Sequence, residues 1–532
     1  MREREAALRE AAAREFDLIV IGGGINGAGV ARDAALRGLS VLLIERHDFG
    51  FGTTWRSTKL IHGGLRYLEH REWGLVREGL HERSVLLRIA PHLVRPLEFL
   101  VPIYRGGRYG YRVVQAGLWL YDLLALGTSL PRHRALGPEA VAALEPALNR
   151  ARLQGGFAYC DAHAPFPERL CLENVLGAVE AGALALNYLE AVRLRAARGR
   201  VQAVVARDRL TNAEVELRGR VVVNATGPWV DQVLRRAGAR GDRIGGTRGS
   251  HIVVDLGAAG PCRAIYAEAG SDGRPFFIVP WRGYHLVGTT DEPFHGDPGA
   301  VRPGECDAAY LLAEAARVLP GAPLGPEAVL YAFAGVRPLP RAEGRQAGAI
   351  TRRHFLHRHD AEGLGGLISI VGGKLTGYRR VAEETVALVF RLLGRAAPPC
   401  RTATLPLVPG SSPAAEDALT RHLVSIYGGR AGLVLALARI DPTLAEPLCP
   451  HGPDIGAQVV YAARHELACT VADVLLRRTP CGWNRCRGVD AAPRVAALLA
   501  REFGWNADRT EAAVGAYREE VDATLITDAG VP

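Results

Sequence analysis

Residues 16–45 read FDLIVIGGGINGAGVARDAALRGLSVLLIE. Phe16 to Ile21 is an apolar run broken only by Asp17 and ending in β-branched side chains, the composition of a strand buried inside a parallel sheet. Gly22, Gly24 and Gly27 follow at once in G-x-G-x-x-G spacing. Ala28 to Arg37 then has helical composition, Gly38 stops it, and Ser40 to Ile44 is a second buried strand closed by Glu45. This is a β-α-β unit. Its glycines let the backbone approach a pyrophosphate, and the helix N-terminus offers free N–H donors and the positive end of its dipole. Glu45, 23 residues after Gly22, stands where an acid accepts hydrogen bonds from ribose hydroxyls. A dinucleotide site is expected, and the fingerprint suits FAD as well as NAD.

Outward from this unit, 532 residues suffice for about two to four domains with ample core. A hydrophobic fraction of 48% and a charged fraction of 23% exclude wholesale disorder. The balance of 65 basic against 56 acidic residues gives +9, which suits an anionic substrate, an anionic membrane surface or nucleic acid. No helix-turn-helix, zinc or RNA-binding signature supports the last. Nine cysteines without a C-x-x-C pair fit neither a disulfide framework nor a zinc ribbon, so a reducing compartment and no metal are expected. Residues 1–15 alternate Arg and Glu with Ala and predict a short exposed helical extension rather than a secretory signal. The longest apolar candidate, Val113 to Leu126, is interrupted by Gln115 and Asp122 and is shorter than the ~20 residues of a membrane span. It leaves room for binding on one membrane face.

Ala183 to Thr226 reads as short alternating strands with turns at Gly199 and Thr211-Asn212, the pattern of an antiparallel layer beside a parallel sheet. His251 to Leu256, Phe276 to Val279 and His285 to Gly288 are further strand-like runs. Residues 16–400 are expected to interleave a cofactor domain with a substrate domain. A linker over 401–413, rich in Pro, Gly and Ser, leads into a helical domain over 414–532.

Three more places carry chemistry. The run 52–67, GTTWRSTKLIHGGLRY, puts Thr53, Ser57, Thr58, His62 and Gly63 shortly after the ribose acid. VVVNATGPWV (221–230) is a buried strand running into Ala225 and Gly227, a second close approach of backbone to ligand. VGGKLT (371–376) predicts a helix from Gly372, Gly373, Lys374, Leu375 and Thr376 to about Leu393, stopped by Gly394.

Together with STKLIHGGLRYLE (57–69), GSHIVV (249–254), VGTTDEP (287–293), GVRPL (335–339), VGGKLTGYRR (371–380) and ELACTVADVLLRRT (466–479), these motifs make the chain resemble the FAD-dependent, respiratory, quinone-linked glycerol-3-phosphate dehydrogenases over about residues 16 to 525. The resemblance implies a D-amino-acid-oxidase-like α/β fold: a Rossmann-type FAD domain interwoven with an antiparallel-sheet substrate domain, plus a C-terminal helical domain. It also implies oxidation of glycerol 3-phosphate, with electrons passed to a membrane quinone or, alternatively, to oxygen with release of hydrogen peroxide. A non-catalytic FAD-binding protein is a remoter alternative. Arg337, Arg352 and Arg66, joined by Tyr67 and His62, match positions that contact substrate. His251 is favoured as the base that takes the hydroxyl proton, with His62 the other candidate. Lys374 would tune the flavin. The resemblance further suggests a homodimer, and a peripheral position on the cytoplasmic, inner face of an anionic membrane, for which 104–120 is the candidate segment. Three residues depart from the family pattern: Trp55 near the expected pyrophosphate, Arg353 beside Arg352, and Gly377 after Lys-Leu-Thr.

Overall fold

The computed structural model describes residues 2–239, 241–342 and 350–524. Glu15–Ile21 lies in the middle of the first sheet, paired in parallel with Val41–Ile44 on one side and Glu214–Asn224 on the other. Ile21 is level with both Ile44 and Asn224, so three strand ends open onto one edge. Leu184–Leu186 extends the sheet beyond Val41–Ile44, and Leu367–Val371 extends it beyond Glu214–Asn224. Every residue of Val41–Ile44 and Leu367–Val371 is buried, as continuous apolar strands require when helices cover the sheet. Helices Ile25–Leu36, Pro167–Glu180 and Tyr378–Leu392 pack on one another over one face. The hairpin Leu189–Ala197/Arg200–Asp208 turns at Gly199 (φ +73°) and feeds antiparallel into Glu214–Asn224, the antiparallel layer expected there.

In the second sheet Thr247–Val254 is flanked by Tyr284–Gly288 and Val329–Arg337, all antiparallel. Pro275–Trp281, Ala264–Glu268, Arg95–Tyr104 and Leu153–His163 continue it outward. The strands of the two sheets alternate along the chain, so the cofactor and substrate layers are interleaved. The C-terminal helices include Ala418–Tyr427, Ala431–Ile440, Gly456–His465, Ala492–Phe503 and Ala507–Asp522. They join the cofactor layer through a buried ion network in which Asp48 binds Arg478 (2.9 Å) and Arg477 (2.8 Å), and Arg169 bridges Glu173 to Glu466. The helical stretch 418–440 has the length and hydropathy to cross a membrane, but a 3-10 turn at Gly428–Arg430 breaks it and Leu423, Tyr427 and Val434 pack in the domain core.

Local expectations differ in three places. The helix after VGGKLT begins at Tyr378, not Lys374, because Gly372 and Gly373 take positive φ (+84° and +97°) and residues 374–377 form a turn. The N-terminal helix Arg2–Ala13 forms but is docked rather than free: Ala11 is fully buried and Arg4 pairs with Asp208 at 2.9 Å. Residues 348–351 read in sequence as a strand leading to Arg352; 350–351 are irregular instead, and 348–349 lie outside the described residues.

Candidate active site

The edge where the three strands end opens into a cleft of about 1160 Å³ lined by Gly22, Gly24, Asn26, Glu45, Ala225, Gly227, Gly372, Gly373, Lys374 and Leu375. Gly22 has φ +105°, and a Cβ there would meet Ala225 O at 2.8 Å. A Cβ at Gly27 would lie 1.9 Å from Gly22 O. These two glycines therefore serve the close packing of strand, helix and neighbouring strand. At Gly24 the nearest atom to a Cβ is Thr54 Oγ1 at 3.3 Å, so the space in front of it is open to a ligand. Glu45 accepts from the Gly23 N–H (2.7 Å) and the His47 N–H (2.8 Å). Burial pushes its carboxyl above the usual carboxylate range against the pull of those amides.

The hydroxyl-rich run divides its work. Thr54, which sequence reading passed over, accepts from the Ile25 N–H at 3.0 Å and so caps the fingerprint helix. Thr53 donates to Val336 O (2.7 Å), tying this run to the second sheet, while Ser57 lines the cofactor cleft and the neighbouring hollow. Thr58 lines only the second hollow, where its hydroxyl meets His251 Nε2 at 2.9 Å. Gly63 lines neither: its N–H donates to Tyr121 OH (3.0 Å), which donates to Asp161 (2.7 Å). Thr376 is buried and accepts from the His62 N–H (3.1 Å), fastening the two motifs together rather than facing the cleft. Trp55 is buried against Phe333 and Trp483, not beside the pyrophosphate cradle. Arg353 is exposed, and Gly377 is the residue before the helix.

A second hollow of about 1290 Å³ adjoins the cleft through Thr53 and Ser57. Arg66, Arg274, Arg337 and Arg352 line it together with Tyr67, His62, His251 and Asp291. Asp291 holds the arginines: Arg337 donates to its Oδ1 at 2.8 Å, Arg352 to its Oδ2 at 3.4 Å, and Arg274 lies 3.5 Å away. These guanidinium groups, the nearest being Arg337, hold the Asp291 carboxyl below its ordinary range despite burial. Arg337 also donates to Thr289 Oγ1 (2.8 Å) and Thr290 O (3.0 Å), and Gly249 gives its guanidinium room, since a Cβ there would lie 2.2 Å from Nη2. Two carboxylates, Asp291 and Glu72, against the five guanidinium groups of Arg56, Arg66, Arg274, Arg337 and Arg352 leave a net-positive pocket suited to an anion.

His251 sits between Gly288 and Phe333 of the flanking strands, its ring stacked on Phe333 at 5.0 Å. Burial, reinforced by Arg337 and Lys59, pushes its pKa well below the usual histidine range, so the imidazole is neutral. Its Nδ1 is buried with no hydrogen-bond partner among the described residues. His62 is also kept neutral by burial, at about 4. Lys374 Nζ lies 4.0 Å over the Tyr67 ring, where the two hollows meet, and has no hydrogen-bond partner among the described residues. Burial lowers its pKa to about 7. Lys374 Nζ and Asn26 Oδ1 are orphaned polar atoms on the wall of a glycine-lined cleft, and that donor and acceptor set fits FAD. Sequence reading also missed Asn26, Arg274 and Phe333, while Thr289 and Asp291 lay unassigned inside VGTTDEP.

An FAD-type cradle beside a guanidinium-rich pocket with a neutral histidine defines a flavin-dependent oxidoreductase of D-amino-acid-oxidase-like fold. Comparison with known proteins agrees: the pattern of the family "FAD dependent oxidoreductase" matches residues 17–379, and that of the "C-terminal domain of alpha-glycerophosphate oxidase" matches 368–510. The chain is 43% identical to a glycerol-3-phosphate dehydrogenase of Synechocystis sp. over 96% of its own length and 97% of that protein's. It is 33% identical to an aerobic glycerol-3-phosphate dehydrogenase of Staphylococcus saprophyticus, covering 90% and 89% of the two chains. The solved glycerol-3-phosphate dehydrogenase of Bacillus halodurans, complexed with FAD, superposes with a TM-score of 0.80 at 30% identity over 100% of this chain and 99% of that one. The chain belongs to the FAD-dependent glycerol-3-phosphate dehydrogenase family, and FAD is its cofactor.

Proposed function

We propose that the chain oxidises sn-glycerol 3-phosphate to dihydroxyacetone phosphate and passes the electrons to a membrane quinone. The observation that carries the substrate reading is the convergence of Arg66, Arg274, Arg337 and Arg352 beside a neutral, buried His251 at the end of the FAD cleft. A phosphate dianion calls for guanidinium forks, and Asp291 keeps two of them aimed in advance. FAD, when bound, supplies hydride acceptance at N5 and onward electron transfer. His251 takes the C2 hydroxyl proton as the C2 hydride departs, and Thr58 orients its ring through Nε2. His62, kept neutral on the same wall, is the alternative base. Lys374 brings a cation to the meeting point of cofactor and substrate, favouring the negative charge of the reduced state. Gly22, Gly24, Asn26, Glu45 and Gly373 would hold the cofactor, without a covalent link.

The quinone reading rests on the surface. Helix Tyr111–Leu124 and the turn after it expose Val113, Trp119, Leu123 and Leu126 at 58–62%, with Arg105, Arg108 and Arg112 at the helix entrance. Beneath it lies a hollow of about 2440 Å³ with Leu65, Val101, Ile103, Val114, Leu120 and Tyr266 among its walls, and it shares Leu65, Arg66 and Tyr266 with the substrate pocket. An apolar helix face with a basic edge suits the interface of an anionic bilayer, and the apolar part of the hollow behind it, whose walls also carry Arg66, Glu69, Arg105, Arg108, Arg152, Glu268 and Arg317, suits a lipid-soluble acceptor. We place the protein on the cytoplasmic face. The test is turnover of glycerol 3-phosphate with a quinone analogue and with oxygen in parallel. Reduction of the quinone in large excess over peroxide formation is expected, and equal rates would favour an oxidase.

A further inference from the structure

Residues 357–362 read HRHDAE, on the edge of the cofactor sheet, and His357, His359 and Glu362 line neither the FAD cleft nor the substrate hollow. His357 belongs to the edge strand Phe355–Arg358, which pairs antiparallel with Leu367–Val371, and His359 is the first residue past its end. Glu362 closes the 3-10 turn Asp360–Glu362 that follows. His359 Nδ1 meets Glu362 Oε2 at 2.7 Å, and His357 Nε2 meets Oε1 at 3.1 Å. The two imidazole rings stand 4.6 Å apart at 72°. One ligand atom from each of the three side chains lies within 4.8 Å of the other two. His359 is fully buried, His357 is half-buried and Glu362 is exposed.

A surface ion pair accounts for Glu362 with Arg243, whose Nη2 donates to Oε1 at 2.5 Å, but not for two imidazoles turned on the same carboxylate. Residues two apart along an extended chain project to one side, which brings the rings together. Zinc holds imidazole nitrogen and carboxylate oxygen at about 2.0 to 2.2 Å, so tetrahedral partners stand about 3.3 Å from one another. The separations of 2.7 and 3.1 Å need only a slight opening to admit the ion. Burial holds His359 below the usual histidine range despite its bond to Glu362, so its ring is neutral, the form that binds metal. Against the pull of burial, hydrogen bonds from His359, His357 and Arg243 hold the Glu362 carboxyl down at about 2, so it is ionised. His359 Nε2 lies 2.9 Å from Ser369 Oγ, a hydroxyl able to accept the ring proton there and leave Nδ1 for the ion. Arg243 holds Oε1 and leaves Oε2 for the ion, in keeping with the hydrogen-bonded carboxylates of metal sites. The remaining charges of the segment, Arg358 and Asp360, pair with each other at 2.8 Å.

We propose that His357, His359 and Glu362 form a zinc-binding site, with water completing the coordination on the open side. Two imidazoles with one carboxylate suit zinc, whereas magnesium and calcium take oxygen donors. The His359 ring keeps one proton on binding, moved from Nδ1 to Nε2, where Ser369 accepts it. The spacing H-x-H-x2-E uses no cysteine, so the cysteine pattern that argues against a metal does not bear on it. The ion ties the edge strand to the turn that follows it. Ser369 stands on Leu367–Val371, the strand that runs directly into Gly372 and Gly373 of the FAD cleft, so the clasp steadies that side of the cofactor cradle.

The FAD-loaded, full-length protein can be stripped of metal with a chelator and dialysed against micromolar Zn2+, with bound metal counted by atomic emission. Free cysteines also take up zinc, so the decisive quantity is the difference between wild type and variants. His357→Ala, at a half-buried position, should bind about one zinc fewer per chain and keep its flavin. Glu362→Gln preserves the shape of the turn and should weaken uptake by at least the roughly tenfold that loss of an outer-shell partner costs. Zinc should raise the unfolding midpoint of the wild type, because a ligand of the native state stabilises it by mass action, and should raise that of either variant less. Equal zinc uptake by the wild type and both variants would overturn the proposal. A zinc-dependent rise in midpoint that both variants share in full would do so too.

Discussion

Asp291 Oδ1 accepts a 2.8 Å hydrogen bond from Arg337, and its Oδ2 faces Arg352 and Arg274 at 3.4 and 3.5 Å. The carboxylate that holds the arginines is thus as much a part of the anion pocket as the arginines themselves. Removing it takes away the carboxylate these three guanidinium groups share and leaves their mutual repulsion uncompensated. Asp291→Ala should therefore raise KM for glycerol 3-phosphate about ten- to hundredfold, the equivalent of one charge-assisted hydrogen bond of roughly 1.5 to 3 kcal/mol. Arg337→Ala and Arg352→Ala should do the same with the flavin spectrum intact. Steady-state kinetics on the three variants check this, and an unchanged KM in all of them would move the phosphate site elsewhere.

His251 is held neutral by burial and by the neighbouring Arg337 and Lys59. A base must be unprotonated to act, and a depressed pKa keeps it so as pH falls. The kcat for the chemical step should stay level from pH 8 down through the ordinary histidine value near 6.5, declining only at lower pH. His251→Ala should lower kcat by about 10²- to 10⁴-fold with little effect on FAD content. An acid limb centred near 6.5 in rapid-reaction measurements would assign the proton to a different, solvated group.

Gly24 and Gly27 should respond differently although both belong to the fingerprint. Gly24→Val projects a side chain into open space in front of the helix N-terminus, and should give a folded protein without FAD. Gly27→Val drives a side chain into Gly22 O and should fail to fold. Flavin content and circular dichroism separate the two outcomes. Acid precipitation of the wild type should release its flavin into the supernatant.

How far the sequence carried this picture depends on whether a residue acts locally. The β-α-β unit was readable because its strands are wholly apolar and its glycines have local reasons to be glycine. The turn at Gly199 was legible for the same reason. Lys374 was assigned to a helix start that lies four residues later, since the positive φ of Gly372 and Gly373 delays the helix in a way that composition does not show. Thr54 rather than Thr53 caps the fingerprint helix, a one-residue distinction set by the fold of a coil. Asp291 could have been found in VGTTDEP only by asking what holds arginines from 274, 337 and 352 in one place, a relationship between distant segments. Gly63 and Thr376 look like ligand residues because they sit in matched motifs, yet Thr376 fastens the two motifs together through the His62 N–H and Gly63 donates to Tyr121 on a separate helix.

The helix Tyr111–Leu124 offers a surface test. Trp119→Glu combined with Leu123→Glu places two charges among its exposed apolar residues and should reduce flotation with anionic vesicles at low salt, while turnover with a soluble dye is unchanged. High salt should partly release the wild type from the same vesicles. Equal flotation of variant and wild type would assign membrane contact to another face.

Anaerobic mixing of the purified holoenzyme with sn-glycerol 3-phosphate shows whether this chain oxidises a phosphorylated glycerol through its FAD. Without oxygen or quinone present, rapid, stoichiometric bleaching of the oxidised flavin absorption and one equivalent of dihydroxyacetone phosphate per flavin are expected. Glycerol at the same concentration should bleach it hardly at all. Flavin that stays oxidised with glycerol 3-phosphate, or that glycerol reduces equally fast, would contradict the account.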